Sequence, residues 1–106
     1  MNIIFATSEA APFIKTGGLG DVMGALPVEL SKGEDKISVF LPYYGDVKRK
    51  FEAELTYVTN FDVFLSWRNL YCGIFKKEIN KNLTFYFIDN EYYFRRDGGI
   101  SLWIAA

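Results

Sequence analysis

Apolar residues arrive in three different rhythms along this chain, and each rhythm predicts a different element. Asn2 to Thr7 contains the continuous apolar run Ile3-Ile4-Phe5-Ala6, the pattern of a strand covered on both faces in a parallel sheet. From Leu19 the apolar positions fall at Val22, Met23, Leu26 and Leu30, which is the spacing of one helical face. Asp21 is placed to cap that helix and Gly33 to stop it, while Pro27 inside the pattern predicts a kink or a late start. Lys36 to Leu41 reads as a second buried strand closed by Pro42. Strand, helix and strand together make one βαβ unit.

After a turn and short helix over 44–54 the rhythm becomes two-residue alternation. Phe61, Val63, Leu65 and Trp67 are followed by Tyr71, Gly73, Phe75 and Lys77, which predicts an antiparallel hairpin turning at Arg68-Asn69. Asn80-Lys81-Asn82 makes the next turn, and Leu83 to Asp89 is a third core strand. If this strand runs parallel to the first, it delivers Asp89, Asn90 and Glu91 to the sheet edge where the loop after the first strand emerges. There is no internal repeat or linker.

Composition narrows the class. At 106 residues, 50% hydrophobic and 24% charged, the chain has the size and balance of one globular unit. Ten Phe, seven Tyr and two Trp supply large buried areas, and core packing is the expected use of most. The net charge is −1 and the basic residues are scattered apart from Lys48-Arg49-Lys50 and Arg95-Arg96, which argues against a nucleic-acid partner. No run approaches the ~18 apolar residues that a membrane span requires. The single Cys72 cannot form an intrachain disulfide, and the start enters a strand without a charged leader, so a cytoplasmic location is expected. With no histidine, neither a histidine metal site nor Ser-His chemistry exists within these residues, and no cofactor or metal is expected.

The chemistry concentrates in Lys15-Thr16-Gly17-Gly18-Leu19-Gly20-Asp21-Val22. A glycine-rich loop with one fixed cation, between a first strand and a helix, lies where open α/β folds bind phosphorylated ligands. Glycines let backbone N–H groups approach an anion, and the helix N-terminus adds partial positive charge. Two standard phosphate loops do not fit. Gly18-x-Gly20 followed by Gly24 misses the third glycine of a dinucleotide fingerprint, and the second strand ends Val39-Phe40-Leu41-Pro42 without an acidic residue. A Walker loop is excluded because the lysine precedes the glycines.

The stretch from Thr7 through Glu9-Ala10-Ala11-Pro12 and Lys15-Thr16-Gly17-Gly18-Leu19 to Val22 closely resembles the opening of bacterial glycogen synthases and plant starch synthases. The resemblance continues through Gly24-Ala25-Leu26-Pro27, Leu41-Pro42-x-Tyr44 and Asp89-Asn90-Glu91-Tyr92-Tyr93-Phe94-x-Arg96. It implies an α/β fold: a partial Rossmann-like parallel sheet, the N-terminal part of a two-domain glycosyltransferase, with an inserted antiparallel β-hairpin. It also implies a hexosyltransferase that extends an α-1,4-glucan (glycogen or starch) from ADP-glucose with retention at the anomeric carbon.

By that resemblance Lys15 matches the lysine on the donor phosphates, and Gly17 and Gly18 match the loop that lines the donor site. Asp21 matches an acidic residue at the donor side of the cleft, with helix capping as its other reading. Thr16 organises the turn or joins the site. Glu9 is either a carboxylate base or, as loop glutamates more often are, a hydrogen-bond anchor for nearby backbone. Asp89, Asn90 and Tyr93 belong to a candidate cleft loop, where Tyr92 and Tyr93 either stack on glucan or pack beneath it. Cys72 is expected to be a small apolar filler on its strand.

The family's later catalytic and phosphate-binding residues have no counterpart in these residues, so no catalytic residue is assigned and the chain alone is expected to be inactive. After Asp97 the family pattern gives way to the uncharged Gly98-Gly99-Ile100-Ser101-Leu102-Trp103-Ile104-Ala105-Ala106. The expected division is therefore 1–97, an N-terminal part of the catalytic domain, and 98–106, a divergent tail from truncation or frameshift. The missing C-terminal domain becomes a candidate partner. Two alternatives remain: a non-catalytic binding or assembly fragment, and an NAD(P)-dependent oxidoreductase.

Overall fold

A parallel trio of strands carries an antiparallel extension along one side. The computed structural model describes residues 1–65 and 68–90. In chain order the elements are β1 (Asn2–Ala6), α1 (Gly18–Leu30), β2 (Lys36–Pro42), α2 (Gly45–Phe51) with a 3₁₀ turn over Glu52–Glu54, β3 (Thr56–Leu65), β4 (Arg68–Asn80) and β5 (Leu83–Asp89). They form one sheet in the order β1-β2-β5-β4-β3. β1 and β5 both run parallel to β2, and β4 pairs antiparallel with β5 and β3. This is the α/β sheet with an antiparallel hairpin that the sequence suggests, the hairpin widening the sheet at its β5 side.

The register fixes which residues share a face. Ile37, Val39 and Leu41 of β2 alternate into the core beside Leu83, Phe85 and Phe87 of β5, all buried. Phe13, from the loop before α1, closes over them with ring centroids 5.0–5.1 Å from Phe51, Phe85 and Phe87. Tyr43 packs on Phe75 and Phe87. Most of these contacts involve aromatic rings, and offset and edge-on ring pairs each add about 1 kcal/mol beyond their area burial.

The opposite face differs. Phe40 and Tyr86, paired across β2 and β5, stack at 4.8 Å and 13°, and Phe61 and Val63 of β3 lie 49% and 38% exposed. No helix among the described residues packs there. β1, expected to be covered on both faces, is one of the two edge strands among the described residues and leaves Ile4 68% exposed.

Four further expectations are corrected. The helix begins at Gly18, before Asp21, and ends at Leu30, before Gly33. Ser31 is the C-cap in a right-handed helical conformation, and Asn82 closes the end by donating from Nδ2 to the Ser31 and Gly33 carbonyls. Pro27 gives no late start, because it lies inside α1 with its ring buried. The buried face is also not the leucine stripe: Leu19, Val22 and Leu26 are exposed, whereas Gly20, Met23 and Pro27 are buried. The glycines explain this rotation, since a Cβ on Gly24 would lie 2.6 Å from the Ala11 carbonyl oxygen and one on Gly20 2.9 Å from Lys15 Cγ. Small residues let the helix press against the preceding loop, and that close approach wins over burying leucine. Finally, Arg68 and Asn69 are the first residues of β4, paired with Leu65 and Phe64, so they are not the hairpin turn.

Candidate phosphate site

The loop from Thr7 to Gly17 is held at both ends before any ligand arrives. Thr7 extends the β1–β2 ladder by donating its N–H to the Phe40 carbonyl. Phe13 fixes the middle to the core, and the Ala11 N–H donates to the Gly20 carbonyl, tying the loop to α1. The Ala11–Pro12 peptide is cis.

Glu9 is the centre of the loop. Its side chain is buried, and its Oε2 accepts from the Thr16 N–H (3.2 Å) and the Thr16 hydroxyl (2.5 Å). Its Oε1 accepts from the Gly20 N–H at 2.7 Å. The Thr16 hydroxyl, aided by the Gly20, Thr16 and Gly17 amides and opposed by burial, holds this carboxyl below the ordinary carboxylate range. An anion so heavily hydrogen-bonded is a poor general base; the geometry is that of the backbone anchor. Thr16 is likewise an organiser of the turn, through both of its donors.

This arrangement displaces Asp21 from the capping role. The N-cap position is Gly17, which has no side chain to offer, and no side-chain cap bond is made there. Glu9 instead receives the N–H of Gly20, the third helical residue, from outside the helix, satisfying one of the amides that a helix start leaves without an internal partner. The Gly18 and Leu19 amides have no acceptor among the described residues.

Lys15 stands beside this helix start. Its Nζ is 3.0 Å from Asp21 Oδ1, with the side chains 51% and 60% exposed, so the pair is open to solvent and weak. Next to it, a Cβ placed on Gly17 or Gly18 would meet nothing within 4 Å. The fold therefore needs glycine at 20 and 24, yet gives no steric reason for glycine at 17 and 18. Room remains around Gly17 and Gly18 at the helix start.

Across the same sheet edge β5 ends at Asp89, parallel to β1 as the shared-edge expectation requires. Asp89 is buried, and Asn90 donates from Nδ2 to the Tyr71 carbonyl at 3.0 Å. Both are tied to β4 rather than to Lys15. Burial, with the Asp89 charge second, pushes the half-buried Cys72 thiol up, consistent with a packing role. Tyr93, with the rest of the Glu91–Arg96 segment and the 98–106 tail, lies outside the described residues.

Tyr44 was legible only as a family landmark, and its position gives it more weight. It is buried, and burial followed by the charge of Glu9 pushes its hydroxyl up to about 12. The signal was present in Leu41-Pro42-x-Tyr44, where a strand ends in proline and an aromatic residue follows at the site's edge.

Comparison with known proteins agrees with this architecture. The family model described as starch synthase catalytic domain matches residues 2–103. A glycogen synthase of Streptococcus pneumoniae (strain 70585) is 53% identical over 96 residues, covering 91% of this chain and 20% of that protein. One from Ligilactobacillus salivarius (strain UCC118) is 50% identical over 99 residues, covering 92% and 21%. The catalytic domain of starch synthase IV from Arabidopsis thaliana, solved bound to ADP and acarbose, superposes with a TM-score of 0.67 at 23% identity, covering 90% of this chain and 20% of that one. The chain spans about a fifth of the length of these relatives. With the family model covering nearly all of it, the chain belongs to the starch synthase catalytic domain family.

Proposed function

We propose that these residues form the diphosphate-binding wall of an ADP-glucose-dependent glucosyltransferase that extends an α-1,4-glucan. The observation that carries this is the open cradle of Lys15, Gly17 and Gly18 at the start of α1, which the fold leaves unfilled. Supporting it are the family membership, the glycogen synthase relatives and the ADP in the starch synthase IV structure.

The chemistry follows from charge. As the bond between the anomeric carbon and the diphosphate breaks, negative charge grows on the leaving group, and an ammonium with helix-start amides stabilises it more in the transition state than in the ground state. Lys15 is free to turn to that task because it gives up only a solvent-exposed contact with Asp21. Asp89, Asn90 and Tyr93 are assigned to a loop beside the cleft, and the location is cytoplasmic.

The wall alone supplies part of the charge stabilisation and no positioned acceptor, so the 106-residue chain binds the donor without turnover. Isothermal titration with ADP and a glucan-elongation assay with ADP-glucose test both halves. Binding that is lost in Lys15→Ala, without elongation, is the expected result. Absence of ADP binding at millimolar concentration refutes the proposal, and clear turnover refutes the claim that the wall is insufficient. Family membership leaves the oxidoreductase alternative without support.

A further inference from the structure

We infer that Glu9 is a positioning residue for the donor site: it selects which helix-start amides remain open to a diphosphate and fixes Lys15 beside them. This rests on the proposed function for the identity of the ligand, but not for the effect on the loop.

Glu9 does not bind the diphosphate itself. An ionised carboxylate is acceptor-only and repels a diphosphate, so a buried anion near a phosphate site requires another reason to be there. The reason is in its partners. Both oxygens are taken, one by the Thr16 N–H and hydroxyl and the other by the Gly20 N–H. These two residues bracket Gly17, Gly18 and Leu19, and one of them adjoins Lys15. A single side chain thus clamps both ends of the glycine segment.

Two consequences follow. The clamp occupies the Gly20 amide and leaves those of Gly18 and Leu19 for an incoming anion. It also orders a segment in which three of four residues are glycine, whose conformational entropy would otherwise be lost when ligand binds. The carboxylate is itself tolerated because it lies at the positive end of α1.

Glutamine is the discriminating substitution. It keeps the shape but offers one acceptor oxygen, so its NH₂ must face either the Thr16 donors or the Gly20 N–H. In Glu9→Gln the Thr16 to Gly20 amide resonances of the ¹⁵N-labelled chain should move or broaden while those of β2 and β5 stay in place. ADP affinity should fall about threefold to tenfold, because ordering of the loop then moves to the binding step. Glu9→Asp, which keeps the charge but shortens the reach, should recover part of the affinity. Loop amides unchanged in Glu9→Gln, or ADP affinity within twofold of the parent, overturn the inference. If Glu9→Gln unfolds the whole chain, the exposed Thr16→Val decides: it removes one partner of the clamp, and unchanged loop amides in that variant overturn the inference equally. Should the parent chain bind no ADP, the proposed function fails, while the loop resonances still decide the role of Glu9.

Discussion

Lys15 Nζ lies 3.0 Å from Asp21 Oδ1 with both side chains more than half exposed, so this pair contributes little to holding the fold. Lys15→Ala should change stability by less than about 1 kcal/mol. ADP affinity in the same variant should fall by about tenfold to a hundredfold, the range for a lost charged hydrogen bond. Thermal melts and titration calorimetry on one preparation check the two numbers together, and a large loss of stability would place Lys15 in the scaffold.

The four loop and helix glycines divide by what surrounds them. Gly24→Ala drives a methyl to 2.6 Å from the Ala11 carbonyl oxygen, and should destabilise by about 1–3 kcal/mol because backbone must move. Gly18→Ala meets open space and improves helix propensity, so it should leave stability equal or raise it by up to about 1 kcal/mol. It should nonetheless weaken ADP binding, because the methyl occupies the cradle. Urea unfolding curves distinguish the pair.

Acid should weaken the loop in a particular window. The Glu9 carboxyl is held below its ordinary value of 4.5, so its contribution is fully present above that value. It is lost as pH falls through the lower, folded-state value, where the folded protein must take up the proton. The stability gap between the parent and Glu9→Gln should therefore be constant from pH 7 to about 5 and narrow below 4.5. Melts across that range measure it, and a gap independent of pH contradicts the assignment.

Alkali acts through Tyr44. Its hydroxyl is pushed from 10.0 up to about 12, so the unfolded chain releases this proton first. The associated stability is whole below pH 10 and drains away as pH rises toward 12. Tyr44→Phe should flatten that alkaline loss, and absorbance titration of the phenolates should lose a component near 12.

Much of the sheet was legible because strand signals are local. Leu83 to Asp89 alternates under flanking turn residues and forms β5 over those residues, and Lys36 to Pro42 likewise becomes β2. The α1 face was misread because periodicity counts apolar residues and is blind to close approach; Gly20 and Gly24 meet the loop at distances no leucine permits. The site divided similarly. Lys15 and its glycines carry their chemistry in their residue types, whereas the part played by Glu9 depends on partners seven and eleven residues away. A glutamate in a loop gives no sign of which amides it will reach.

Among the described residues, the sheet carries its helices and its anchored loop on one side. The Glu9 bonds join residues close in sequence, whereas Thr7 and Phe13 tie the same loop to Phe40, Phe85 and Phe87 far along the chain. Local contacts form early in folding. The Glu9 bonds can therefore form within the loop and helix start alone, but the loop reaches its final place only once β2 and β5 have paired, so the interior precedes the finished loop.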